Sequence, residues 1–403
     1  MDVRGEIAIA KPEPCIVTES RELLLRVERV IAPTPALGLV DHAGERVKHG
    51  VDVRADVEAM ELVVVGHVHD RGHVGGVHDV DEAREEPRGA HATAEHSDAS
   101  HVWQAMRMSD RPPLLLLDAA SLLYRAYHAV PELQAPDGTK VHAAMGFLNF
   151  VSRLLPDRKP GRFYAALDND WRPAFRVEAL PTYKTHRVAG PDDEPDEVGL
   201  QFPIVLEIFD AIGLSYAEAD GFEAEDVIAT IAARTEEPVE IVTGDRDLFA
   251  IVRDPRVKVL YTLRGVSELA EVDEGWIARK YGIPGDRYLD YALMRGDPSD
   301  GLPGVAGIGE KTASDILRRY GSLDAALSAP DLNPGIRQKL KRSADYLAAA
   351  RRVVAPVADT PVRGGDGSIP TAPRDPERAK ALGERYRLAG TVERLIAALA
   401  SVP

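Results

Sequence analysis

The chain has 403 residues, of which 44% are apolar and 28% charged, so it is long enough for two or three domains with true cores. Its single cysteine, Cys15, excludes a disulfide framework and a cysteine-based zinc site, and no apolar run approaches the roughly 20 residues of a membrane span. A formal net charge of −16 excludes attraction of nucleic acid by the whole surface and leaves that task to local basic patches.

In chain order, residues 1–107 carry nine of the twelve histidines and little apolar periodicity. They predict an N-terminal extension that is disordered or arises from a start assigned too early, with the working chain beginning at Met106 or Met108. A histidine metal tract in GHVHDRGHVGGVH is the alternative. From residue 112 the pattern becomes regular. LLLLD predicts a buried strand over 114–118, and a helix follows from Ser121, its expected cap, through Tyr127. HAAMGFLNFVSRLL has helical spacing and leads to a strand over 162–168. WRPAFRVEALPTYKTHR then brings Arg172, Arg176, Lys184, His186 and Arg187 together, ahead of a polar stretch with Pro191, Asp192, Asp193 and Pro195. The helix QFPIVLEIFDAIG, the strand LSYAEA, the helix DVIATIAAR, the strand VEIVTGD, the helix DLFAIV and the strand VKVLYT complete an alternation. It predicts an α/β doubly wound, mostly parallel sheet over 112–273, followed by a helical domain over 274–403. The composition and the lack of a signal segment predict a cytoplasmic protein.

Most of five acidic segments follow apolar runs. Asp118 and Asp168 end strands, and in an open parallel sheet such ends face one crevice, although either residue alone could be a helix cap. In GFEAEDVIA, Glu223 and Asp226 are three apart and share a helix face. Glu225 points away in an ideal helix and joins them only if Glu223 lies in the preceding turn. Asp245 and Asp247 flank Arg246 after a glycine, where an Asx-turn accounts for one of them more easily than for both. Asp297 and Asp300 lie in a glycine- and proline-rich loop that alone would read as a turn. Jointly these oxygen donors suit Mg²⁺ or Mn²⁺, and two such ions about 4 Å apart are the usual arrangement for cutting phosphodiesters.

GLPGVAGIGEKTASDILRRYG places glycines at 301, 304, 307 and 309 around Val305 and Ile308, then opens an amphipathic helix with Ile316 and Leu317. Glycines allow positive φ and close approach of backbone amides to phosphate, and a helix N-terminus adds partial positive charge. This is a helix-hairpin-helix signature for duplex backbone, with Lys311 as a phosphate contact that reads no sequence. An ordinary tight turn is the alternative; the spacing of a nucleotide-triphosphate loop is absent. A second basic patch, Arg337, Lys339, Lys341 and Arg342, follows in IRQKLKR.

LLLLDAASLLYRAY, ALDNDWRPAFRVEALPTYKTHRVAG, GFEAEDVIATIA, TGDRDLFAI and GDPSDGLPGVAGIGEKTA, in this order between Leu114 and Val357, resemble the 5′–3′ exonuclease and flap endonuclease family, which includes the 5′-nuclease domain of bacterial DNA polymerase I. The resemblance implies a PIN/flap-nuclease-like fold and a metal site of Asp118, Asp168, Glu223, Glu225, Asp226, Asp245, Asp247, Asp297 and Asp300, holding two or more Mg²⁺ or Mn²⁺ ions. It implies a helical arch or clamp in which Arg176, Lys184 and Arg187 receive the 5′ strand, Arg176 and Lys184 acting on the phosphate, with Tyr124 and Tyr183 stacking on bases. Gly304, Gly307, Gly309, Lys311 and Thr312 would hold duplex DNA, with K⁺ at the hairpin carbonyls. The implied substrates are DNAs with 5′ flaps, nicks or free 5′ ends, in replication and repair.

Departures from the family are few. Glu225 stands where the bacterial form usually has Asp, Asn169-Asp170-Trp171 adds a residue, and Gly301 replaces a common Asn; none removes a ligand. Residues 1–107 have no counterpart, and too little chain follows residue 360 for a polymerase, so a stand-alone nuclease is expected. An aspartate-nucleophile phosphatase built on Asp168-x-Asp170 leaves the hairpin unexplained. A noncatalytic DNA-binding protein leaves the full carboxylate set unexplained, and a PIN-type ribonuclease does not need the hairpin.

Overall fold

Side chains on a strand alternate between the two faces of its sheet, so a run such as Leu114–Leu117 is apolar throughout only when both faces are covered. In the computed structural model, which describes residues 111–188, 196–264 and 268–402, this is so. Leu114 and Leu116 pack in one core with Ala166, Ile241 and Val259, and Leu115 and Leu117 in a second with Phe163, Val242 and Leu260.

The strands are β1 (Leu114–Asp118), β2 (Arg162–Ala166), β3 (Tyr216–Glu218), β4 (Val239–Thr243), β5 (Val257–Arg264), β6 (Glu268–Val272) and β7 (Arg363–Gly364), in the order β6-β5-β4-β1-β2-β3-β7. Neighbours from β5 to β3 are parallel, and β6 and β7 are antiparallel edges. Helices α1 (Ala119–Ala129) and α2 (His142–Arg158) connect β1 to β2, α3 (Ala174–Ala179) and α4 (Phe202–Ile212) lie between β2 and β3, and α5 (Ala224–Arg234) leads to β4. The chain therefore leaves β1 toward β2 and β3, then returns to β4 on the other side of β1. That reversal opens a crevice at the carboxyl ends of β1 and β4.

After β6 come α6 (Glu274–Tyr281), α7 (Tyr288–Arg295), α8 (Glu310–Tyr320), α9 (Leu323–Ser328), α10 (Pro334–Arg342) and α11 (Ala344–Val354). Val305 and Ile308 are buried between α7 and α8, and the Val305 amide donates to Met294 O, 2.9 Å. Gly304 has φ 72°, and a Cβ there would meet Arg295 O at 2.3 Å, so only glycine fits this turn.

Several expectations change. The first helix begins at Ala119 rather than Ser121, because the Asp118 carboxylate, not Ser121, accepts the capping bond, from the Ser121 amide at 3.2 Å. DLFAIV forms a 3₁₀ turn, Asp247–Ile251, and the edge strand β6 was not expected. Residues beyond 354 do not continue a helical domain: β7 pairs with β3, and α12 (Pro376–Arg385) and α13 (Ala389–Leu399) place Leu382, Leu395 and Leu399 in the core that holds Phe147 and Phe209. Amphipathic spacing reveals an apolar face but not which surface covers it. The N-terminal extension, its histidine tract and the polar stretch at 191–195 lie outside the described residues. No helix among the described residues is long and apolar enough to cross a membrane.

Candidate active site

The register of β1 with β2 sets Asp118 beside Ala166, two residues before Asp168, while Thr243 closes β4 on the other side. Thr243 Oγ1 donates to Asp118 Oδ2, 2.7 Å, and Ser121 Oγ accepts from the Gly244 amide, 2.9 Å, so the ends of β1 and β4 are stitched where the crevice opens. Asp118 is buried, and its pKa is pushed up to about 7, first by burial and then by the charges of Asp168 and Asp245, against the Thr243 hydrogen bond. Asp168 accepts from the Ala224 amide at 2.7 Å, which ties the end of β2 to the head of α5. Burial, followed by the charge of Glu223, raises its carboxyl to about 6.

At the head of α5 the open question about Glu225 is answered by Glu223, which is the extended N-cap residue (φ −86°, ψ 163°). Leaving the helix one residue earlier lets all three acids meet Arg176. The Arg176 guanidinium lies 2.6 Å from Glu225 Oε1, donates to Asp226 Oδ1 and Oδ2 at 2.7 and 2.9 Å, and donates to Glu223. Tyr183 Oη donates to Glu223 Oε2, 2.8 Å, and Lys184 Nζ donates to Glu223 Oε1.

The far wall comes from two loops. Asp245 Oδ1 accepts from the Asp247 amide, 2.9 Å, and Asp297 Oδ1 accepts from the Ser299 amide, 2.9 Å. Asp245 keeps solvent contact at the mouth, yet the crowded surroundings and the charge of Asp300 raise its pKa. Asp247 is raised well above the ordinary value by burial and by Asp245, Asp300 and Asp297. Asp300 is buried and paired with Arg187, and its carbonyl accepts from the Lys184 amide, 3.0 Å.

The nine carboxylates thus act on one another as a single anionic cluster, from Asp168 and Glu223 through Asp118 and Asp245 to Asp300 and Asp297. Four cations oppose them: Arg176, Lys184, Arg187, and Arg295, which lies 3.6 Å from Asp297. Asp118, Asp168, Asp245 and Asp247 have no ion pair among the described residues. Nor do three or more His, Cys, Asp or Glu side chains converge on one metal-holding point among the described residues.

One expectation is corrected here. Arg176 is 0% exposed and Tyr183 3%, so neither presents a surface to DNA; both are spent inside the protein on the acids of α5. Asp170 accepts from the Arg172 amide, 3.0 Å, and so serves a turn, in keeping with the rejection of an Asp-x-Asp nucleophile pair. Lys184 and Arg187 remain partly exposed, and Tyr124 is half-buried with its ring 4.6 Å from that of His128. The hairpin exposes Gly309 and Lys311, with Thr312 partly buried, in the first turn of α8 and just before it. The Gly307 carbonyl accepts from Lys339 Nζ, 2.8 Å. Thr243 and the two backbone partners that α11 and the chain after it supply, Val353 O and the Val357 amide, escaped the sequence reading. Thr243 had a signal, its place just before Gly244-Asp245; the other two had none.

Comparison with known proteins assigns both regions. The family described as 5′-3′ exonuclease, N-terminal resolvase-like domain matches residues 113–282, and 5′-3′ exonuclease, C-terminal SAM fold matches residues 283–377. The chain is 47% identical over 299 residues to a 5′-3′ exonuclease of Streptomyces coelicolor, spanning 71% of this chain and 99% of that one. It is 42% identical over 316 residues to a 5′-3′ exonuclease of Mycobacterium tuberculosis, spanning 73% and 99%. A DNA polymerase I of Mycobacterium bovis is 35% identical over 297 residues, which are 72% of this chain and 32% of the polymerase.

Proposed function

The chain belongs to the 5′-3′ exonuclease family, and from that premise we propose that it is a structure-selective 5′–3′ exonuclease and flap endonuclease that hydrolyses DNA phosphodiesters with divalent metal. The observation that carries this reading is the anionic crevice at the carboxyl ends of β1, β2 and β4, flanked by the loop that leads into the hairpin.

In donor type, though its side chains do not converge on one point, the set suits Mg²⁺ or Mn²⁺. It is made of oxygen alone, and Asp118 and Asp168 are raised to about 7 and about 6 because burial and neighbouring charges are not balanced by cations of the chain. Asp118, Asp168, Asp245 and Asp247 are the residues free to hold two or more ions, with Glu225, Asp297 and Asp300 at the margin. When bound, such ions polarise the phosphate and lower the pKa of attacking water.

The chain's own residues do the rest. Lys184, in a left-handed backbone conformation, reaches into the crevice and neutralises the scissile phosphate, and Arg187 guides the strand entering beside Asp300. Tyr124, half-buried beside His128, remains the aromatic candidate for stacking. Gly304, Gly307, Gly309, Lys311 and Thr312 grip the duplex by its backbone, so DNA structure rather than base sequence selects the substrate. Gly307 O already accepts an ammonium from Lys339, with which a K⁺ ion at this carbonyl would compete. Products carry 5′-phosphates.

A 5′-labelled flap substrate incubated with and without Mg²⁺ or Mn²⁺, alongside Asp245→Ala, tests the reading. Short 5′ products are expected only from the wild type with metal; equal cleavage by both proteins removes these residues from the mechanism.

A further inference from the structure

Arg176 was expected to touch DNA, yet it is fully buried and its donors are already engaged. A guanidinium carries five N–H groups in a fixed fork. Here Nη1 serves Glu223 and Asp226, Nη2 serves Asp226 and lies against Glu225, and Nε donates to Val353 O, 2.9 Å, in the last turn of α11. Nothing remains for a phosphate. Asp226 is held from the same side, accepting from the Val357 amide at 2.8 Å.

Helix α11 does not end its connections there. Tyr346, seven residues before Val353 and therefore on a similar face, accepts from the hairpin amide of Gly304, 3.0 Å, and donates to Leu293 O, 3.3 Å. One helix thus touches the hairpin at Tyr346 and the head of α5 through Arg176. We propose that Arg176 is a positioning residue: it locks Glu223, Glu225 and Asp226 into one unit, fastens that unit to α11, and so sets the geometry in which the neighbouring carboxylates receive divalent metal. Glu223 and Asp226 then support the metal site from outside instead of ligating it. A bidentate fork to Asp226 is a demand that lysine, a point charge with a different reach, does not meet. The proposal rests on the nuclease reading above.

The full-length wild type, Arg176→Lys and Asp226→Asn are compared by thermal unfolding, by Mn²⁺ titration without DNA, by flap-DNA affinity against salt in EDTA, and by steady-state cleavage. Arg176→Lys is expected to raise the Mn²⁺ concentration for half-saturation by about tenfold, as loss of an outer-shell partner does. Its kcat should fall with KM unchanged, and DNA affinity and salt slope should match the wild type. Asp226→Asn should weaken Mn²⁺ binding without lowering the number of ions bound; if Arg176→Lys does not fold, this variant carries the test. Loss of one bound Mn²⁺ in Asp226→Asn would make Asp226 a ligand and overturn the proposal. So would weaker flap-DNA binding by Arg176→Lys in EDTA, the mark of a bidentate phosphate contact that lysine does not reproduce, or unchanged Mn²⁺ affinity in that variant. A wild type that binds no Mn²⁺ and cuts no flap overturns the nuclease reading itself; a wild type that does both, beside an unaltered Arg176→Lys, overturns only the role given to Arg176.

Discussion

Asp118 shows at a single carboxyl how burial and charge prepare the crevice. Burial, then Asp168 and Asp245, favour its protonated form and push it up to about 7, while Thr243 and the Ser121 amide favour the ionised form. A carboxyl with a higher pKa folded than unfolded binds more protons when folded, so stability is retained at low pH and falls as pH rises from 3.8 to about 7. Asp168, raised to about 6, acts in the same direction over a narrower window. We therefore expect the metal-free protein to melt at a lower temperature near pH 7.5 than near pH 5, and added Mg²⁺ to raise the melting temperature more at the higher pH. Differential scanning fluorimetry in EDTA and in Mg²⁺ across this range checks both; a Mg²⁺ shift that is flat with pH would contradict the assignment.

At the level of elements, the end of the chain supports the crevice from a distance. Helices α1, α2 and α4 present an apolar surface on one face of the sheet, and α12, α13 and the link between them cover part of it with Leu382, Leu388, Val392, Leu395 and Leu399. Tyr386 Oη adds a hydrogen bond to Glu207 on α4, 3.0 Å, and Arg394 donates to Asn149 on α2, 2.9 Å. Because α1 begins at Ala119 and is capped by Asp118, loosening this layer reaches the crevice through that helix. Leu395 is 0% exposed, and Leu395→Ala should cost about 2–5 kcal/mol from lost burial and the cavity left behind. Urea unfolding measures this; a change below about 0.5 kcal/mol, the size of an ordinary surface substitution, would show that the pair is dispensable.

Across the whole molecule, a net charge of −16 and an acidic crevice work against DNA at long range, so binding depends on cations held in specific places and on metal. On the reading proposed above, those places would be the turn carrying Lys184 and Arg187 and the helical region with Lys311, Lys341 and Arg342. Residues 1–107 fall outside both family matches, and relatives covered over 99% of their length use 71–73% of this chain. We expect a protein starting at Met108 to melt at the same temperature and to cut the flap substrate at the same rate as the full chain. A folded Met108 protein without activity would assign an essential role to the first 107 residues.

Local chemistry was readable in advance, because it depends on neighbours in the chain. An unbroken apolar run such as LLLL announces a strand covered on both faces, an acid at its end announces a crevice, and Gly-x-Gly before Glu-Lys-Thr announces a turn into a helix N-terminus. The acids at 118, 168 and 245 and the hairpin around Gly304 followed from such signals, whereas Asp297 by itself read as a turn residue. Contacts across the fold left no such trace. That Arg176 would be buried against Glu223, Glu225 and Asp226, that Val353 would hold Arg176 from 177 residues away and Val357 hold Asp226 from 131, and that β7, α12 and α13 would return to the sheet all depend on pairings between distant segments. Periodicity tells each segment which side to bury; three-dimensional packing alone chooses the partner, and at this site that choice separates the carboxylates without an ion pair from those already neutralised by the chain.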